Sequence, residues 1–423
     1  MKEYLEGAVR SISESVRFDS TQQKKEAGMP FGKGAYDCLV HFLSLAETMG
    51  FETNNYDGYI GEVIFGEGEE FAVLAHLDVV PAGSGWTKEP FGGAIEDGAI
   101  WGRGTVDDKG PAICCLYALK ALKDEGFVPK KKIKLIVGCN EESGWKCIEH
   151  YREVAHMPDT GFSPDADFPV IYAEKGILHV RMHFPVLEPK FTFLEGGNRP
   201  NMVCDTATAT VHAVNARLAA QCGLEVKGRK LISRGKSAHG STPDKGKNAI
   251  LPLLEYFRKD ADIDRVIRCL FEDEFGVQRL HDETGHLTLS PDIIKYKKGA
   301  LQVVCDIRYP ATRSDRDVYA LLNKFGVKYE TLSHQLPIFS DREGELVKAL
   351  LSVYEECTGK KAKPLAIGGG TYARALAHGA AFGPEMEGDA PVVHQADEFI
   401  TIERVELLLN IYKKAIERLT KTA

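Results

Sequence analysis

"FAVLAHLDVVPAG", residues 71–83, is the stretch on which the fold turns. Between Phe71 and Val80 only His76 and Asp78 are polar, and Pro81 and Gly83 close the run. An apolar run of this length between turn residues predicts a strand buried on both faces, in a sheet covered by helices. Side chains two apart in a strand share a face, so His76 and Asp78 emerge together near its C-terminal end, where open α/β sheets place their ligand crevice. Imidazole is a common metal ligand, and a carboxylate two residues on can accept its other N–H. On its own, the pair fits a hydrogen-bonded strand-end histidine better than a ligand.

Outward from that strand, the first 170 residues alternate. "KEYLEGAVRSISESVRF" and "YDCLVHFLSLAETMGF" carry helical spacing, the latter stopped at Gly50, and "GPAICCLYALKALKDEGF" predicts a third helix. Short apolar runs, "GEVIFGE" and "KKIKLIVGCNEE", predict strands between them. After "IYAEKGI" the texture changes to "LHVRMHFPV" and "TATATVHAV", whose polar alternation predicts an α+β sheet with one wet face. From Ser340, expected as an N-cap, helical periodicity resumes in "SDREGELVKALLSVYEEC". The expected organisation is an α/β domain in two parts, residues 1–176 and 340–423, interrupted by an inserted α+β lid domain at 177–339.

At 423 residues, 43% hydrophobic and 27% charged, the chain is long enough for two packed cores. A formal net charge of -8 gives no general attraction to nucleic acid or anionic lipid, so neither is an expected partner. No apolar stretch reaches the roughly 18 to 20 residues that cross a bilayer, and the acidic N-terminal segment is unlike a secretory signal, so the expected location is the cytoplasm. Ten cysteines, several inside apolar runs and none in a CxxC pair, predict reduced core thiols rather than disulfides or a cysteine zinc site.

Three acidic clusters change the weight of His76. "WGRGTVDDKGP" sets Asp107 and Asp108 in a glycine-bounded turn before a helix, "VGCNEESGWK" ends an apolar run with Glu141 and Glu142, and "GFSPDADFPVI" places Asp165 and Asp167 beside another strand. Burying adjacent carboxylates costs several kcal/mol unless a cation or strong hydrogen bonds compensate, so the clusters suggest a shared cation. Oxygen and nitrogen ligands without thiolate suit zinc, manganese or cobalt.

Taken together, "HLDVVP", "GRGTVDDKGP", "NEESG", "SPDADFPVIYAEKG", "GKSAHGSTPDKGKNA" and "HQADEF" resemble the co-catalytic zinc aminopeptidases and carboxypeptidases that include glutamate carboxypeptidase, succinyl-diaminopimelate desuccinylase, aminoacylase and carnosinase, with bacterial dipeptidases as the nearest branch. The resemblance implies an α/β metallopeptidase catalytic domain with a mixed central sheet and two divalent metal ions, zinc first, with manganese or cobalt as alternatives. Asp107 would bridge them, His76 and Asp165 completing one site and Glu142 and His394 the other. It also implies Asp78 orienting His76, Glu141 as general base, and a cis peptide between Asp107 and Asp108. His239 resembles the lid histidine that bonds the oxyanion, and Arg308 and Asn201 resemble residues that grip substrate. "AIGGGTYARALAHG" lacks the spacings of nucleotide-binding loops, so Gly369 and Gly370 are expected to hold a substrate carboxylate, and His378 to be a helix-end residue. The implied activity is hydrolysis of dipeptides with a free N-terminus by metal-activated water. The alternatives are an N-acyl-amino-acid deacylase or desuccinylase, or a catalytically silent binding protein. The resemblance also implies that so long an insertion favours a monomer over a homodimer.

Overall fold

The computed structural model describes residues 1–421, which divide into two compact units. The first comprises Met1–Tyr172, Ser340–Leu365 and the described residues from Thr371 on; the second comprises Ala173–Phe339 and Ala366–Gly370.

In the first unit a mixed sheet runs in the order Glu52–Tyr56, Ile60–Phe65, Lys131–Gly138, Glu69–His76, Thr160–Ser163, His378–Ala381, Ile171–Glu174. The four central strands are parallel neighbours, with His76 opposite Gly138 and Val73 opposite Phe162. Phe71 to His76 are buried without interruption, as the apolar run predicts for a strand covered on both faces. Helices Lys2–Val16, Lys109–Asp124 and Ile402–Thr420 pack on one another, and the middle one is buried from Lys109 through Leu119. Parallel strands finish on the same edge, so the segments after His76, Gly138 and Ser163 all begin there. That edge receives three of the four sequence clusters.

Two local expectations fail. The helix after Ser340 starts only at Glu345 with Gly344 as N-cap, while the Ser340 hydroxyl donates to the Gly379 carbonyl at 2.5 Å. Ser340 stands four residues ahead of that N-cap, its backbone N–H held by the Tyr172 carbonyl at 2.8 Å, so the helix begins beyond its reach. His378 opens a strand rather than ending a helix, because the glycine turn leads into only a short 3-10 segment, Tyr372–Ala375.

The second unit is an antiparallel eight-stranded sheet with helices. Along Gly176–Pro185, buried Val180, Met182 and Phe184 alternate with partly exposed His179, Arg181 and His183, the alternation of a sheet with one wet face. Its core gathers Leu178, Phe191, Leu231, Ile267 and Val303.

Candidate metal centre

Five side chains meet at the shared strand edge. His76 Nε2 lies 3.0 Å from Asp107 Oδ1 and 3.5 Å from Asp165 Oδ2. His394 Nε2 lies 2.9 Å from Asp107 Oδ2 and 3.0 Å from Glu142 Oε1. Asp107 therefore turns one oxygen toward each histidine, and the residues form two groups of possible ligands with Asp107 common to both. Asp107 and Asp108 are joined by a cis peptide bond, as the resemblance implies.

This donor set fits divalent cations. Two ligand atoms about 2.0–2.2 Å from one tetrahedral ion stand about 3.3–3.5 Å apart, close to the separations found. His76 Nε2 is fully buried yet has no aligned hydrogen-bond partner, although Asp107 Oδ1 is within 3.0 Å. The other ring nitrogen, Nδ1, lies 2.9 Å from the Asp78 carbonyl oxygen, which can only accept, so in the neutral ring the hydrogen stands on Nδ1 and the lone pair on Nε2.

Asp78 does more than its proximity to His76 suggests. Its carboxylate, 3.7 Å from Nδ1, accepts the backbone N–H groups of Glu141 (2.9 Å) and Glu142 (3.1 Å). The Asp108 carboxylate accepts the N–H of His76 at 3.0 Å. Trp145 Nε1 donates to Glu141 Oε1 at 3.2 Å, leaving Oε2 for other chemistry, and Tyr372 sets its ring edge-on to that of His76 at 5.9 Å.

Each imidazole of the cluster faces two carboxylates. Burial works to lower the His76 pKa, but the Asp107 and Asp165 carboxylates hold it well above the usual imidazole value. Burial likewise opposes protonation of His394, yet Asp107 and Glu142 push it up to about 11. Burial, then the charge of Asp107, raises Glu142 to about 7 against the pull of His394. Burial is also the main cause that lifts Glu141, with Asp165, Glu142 and Asp78 adding to it against His76. The neighbouring carboxylates thus favour the protonated form of both imidazoles.

A metal needs those imidazoles neutral, so loading must displace protons. Metal affinity is therefore expected to rise with pH between 6 and 8, by about tenfold per pH unit for each proton displaced. Calorimetric titration in buffers of different ionisation enthalpy should show the release; buffer-independent heats would contradict it.

In the second unit, the predicted substrate residues also gather. The Ser241 N–H donates to His239 Nδ1 at 3.2 Å, which makes Nδ1 an acceptor and places the ring hydrogen on Nε2. Gly240 N–H donates to the Asn201 carbonyl at 2.8 Å. Arg308 is held by Asp306, Nε to Oδ1 at 2.6 Å and Nη2 to Oδ2 at 2.8 Å, and Nη1 donates to the Gly368 carbonyl at 2.8 Å. One hydrogen on each of Nη1 and Nη2 remains, a fork suited to a carboxylate. Gly369 and Gly370 belong to this unit rather than to the segments around them. A Cβ at Gly240 would lie 2.3 Å from Asp306 Oδ2, so only glycine lets the His239 turn approach this pair. Sequence patterning missed Asp306, Trp145, Tyr372 and Glu398. Asp306 had a local signal, since it stands two residues from Arg308 on one strand and so shares its face. Glu398 lies inside the motif quoted for His394, but a carboxylate whose partners are distant N–H groups leaves no local signal.

The family model described as Peptidase family M20/M25/M40 matches residues 72–418. The chain is 37% identical to the YtjP protein of Bacillus subtilis (strain 168), covering 98% of both sequences. It is 34% identical to the Beta-Ala-Xaa dipeptidase of Lactobacillus delbrueckii subsp. lactis, over 98% of this chain and 96% of that one. The solved structure of the dipeptidase Dug1p from Saccharomyces cerevisiae superposes with a TM-score of 0.61 at 14% identity, covering 99% of this chain and 96% of that one, a likeness of fold.

Proposed function

The chain belongs to peptidase family M20/M25/M40, and from that premise we propose that it is a metal-dependent dipeptidase that holds two divalent ions, zinc first, and hydrolyses dipeptides with a free N-terminus. The observation that carries the proposal is the pair of ligand groups sharing Asp107. Names of relatives support the substrate class, since the Lactobacillus enzyme is called a Beta-Ala-Xaa dipeptidase.

His76, Asp107 and Asp165 would hold one ion and Asp107, Glu142 and His394 the other. When bound, such ions polarise the scissile carbonyl and lower the pKa of water. Glu141 takes a proton from the attacking water at Oε2, its Oε1 being held by Trp145, and returns that proton to the nitrogen of the departing amine. Asp78, through the two N–H groups it accepts, keeps Glu141 and Glu142 in separate roles. The proposal gives His239 Nε2–H the carbonyl oxygen as it gains negative charge, and gives Arg308, Asn201, Gly369 and Gly370 the substrate carboxylate. Ten free thiols, most of them buried, suit a reducing cytoplasm. Among the described residues, no helix is long and apolar enough to cross a membrane.

The test is a panel of free and N-acetylated dipeptides assayed with the metal-loaded and the chelated protein. Free dipeptides should be cleaved only when metal is present, and the acetylated ones should be inert. Turnover that survives chelation would remove the metal mechanism, and faster cleavage of acylated substrates would make the enzyme a deacylase.

A further inference from the structure

The loop that carries Asp107 and the loop that carries His394 are joined by one buried carboxylate, that of Glu398. Its Oε1 accepts the N–H groups of Gly104 at 3.0 Å, Val106 at 2.9 Å and Asp107 at 3.4 Å. Its Oε2 accepts Arg103 Nη1 at 2.6 Å, and its backbone carbonyl accepts the Gly102 N–H at 2.8 Å. Glu398 is 0% exposed and Arg103 1%. The 102–107 turn thus wraps its backbone donors around an anion, as turns with left-handed residues do; Gly102 and Gly104 have φ of 142° and 92°, and a Cβ at Gly104 would come within 2.9 Å of Val79.

Such an anion would be costly here if it only filled space. Its position in the chain suggests a use. Glu398 lies four residues after His394, whose side chain is 47% exposed and whose φ is +61°, a strained value for a residue other than glycine. Asp397, also at positive φ, accepts the backbone N–H groups of Thr87 and Lys88, so the segment is anchored just beside Glu398. His76, by contrast, ends a buried strand and has its ring set by the Asp78 carbonyl.

We infer that Glu398 is a positioning residue of the metal centre: through the Gly104, Val106 and Asp107 N–H groups it sets the Asp107 carboxylate relative to His394, and so governs occupancy of the site formed by Asp107, Glu142 and His394. The inference rests on the metal reading proposed above. It assigns a lesser effect to the site containing His76 and Asp165, which have their own supports.

Metal stoichiometry at graded free zinc, by equilibrium dialysis of the full chain, tests it. Glu398→Ala should retain one ion where the unaltered protein retains two, the weaker dissociation constant rising about 10- to 100-fold, the range seen when partners of metal ligands are removed. Arg103→Met/Glu398→Gln removes both buried charges together but keeps an oxygen for the three N–H groups, and it should recover the second ion to within a few fold. If Glu398→Ala does not fold, that double variant and hydrogen exchange of the metal-free, unaltered protein carry the test: the amides of Gly104, Val106 and Asp107 should be strongly protected although they lie in a loop. Glu398→Ala holding both ions at unaltered affinity, a double variant that loses the second ion, or fast exchange at those amides would each overturn the clamp. An unaltered protein that binds no zinc at all would instead overturn the metal reading, while the exchange result still reports on the clamp.

Discussion

Glu141→Gln should lower kcat by about 10²- to 10⁴-fold, the usual contribution of a general base, while metal content and KM stay near their unaltered values. The amide keeps the size of the carboxylate and can still accept the Trp145 indole N–H. The bonds from the Glu141 and Glu142 backbone to Asp78 do not involve the side chain, so the geometry of the neighbouring ligand Glu142 should persist. Only the capacity to take a proton from water is lost. A variant that turns over within tenfold of the unaltered enzyme would place the base elsewhere.

Asp107→Ala should remove more. One oxygen of Asp107 faces His76 and the other faces His394, so a single truncation opens both ligand groups at once. Dialysed protein should fall from two ions to less than one, and dipeptide hydrolysis should drop by more than about 10⁴-fold, beyond loss of the base alone, because carbonyl polarisation and water activation disappear together. Asp167→Ala is the matched control: this carboxylate lies two residues from Asp165, is exposed, and belongs to neither ligand group, so the variant should keep its metals. Full occupancy in Asp107→Ala, or equal loss in Asp167→Ala, would separate the chemistry from this cluster.

Four members of the cluster sit in short stretches with their own signatures, and His394 came only from the resemblance that "HQADEF" carries. His76 ends an apolar strand, Glu142 follows another, and Asp107 and Asp165 stand in acidic pairs where burial demands a compensating charge. The α/β alternation and the change to a half-wet sheet near residue 176 follow from the same local periodicities. Ser340 shows the limit. Serine before an acidic helical segment is an ordinary cap signal, but Ser340 is pinned by the Tyr172 and Gly379 carbonyls and the helix begins five residues later, at Glu345, and no local rule weighs partners so distant in sequence. His378 failed for a related reason, since the turn before it is followed by a strand instead of the expected helix.

The amino-acid sequence by itself determined which strands would be buried and where one texture of sheet gives way to another, because these depend on residue type and on periods of two and 3.6, while the expected ligand set came through the resemblance of its motifs to a known family. Only the tertiary structure decided that Asp107 divides its two oxygens between His76 and His394, that Asp78 serves the Glu141 and Glu142 backbone, and that Glu398 binds the loop of Asp107. Each of these is a polar contact whose partner is chosen by the packing around it, and a buried carboxylate takes whichever donors the folded chain brings within 3 Å or so, however far away they lie in sequence.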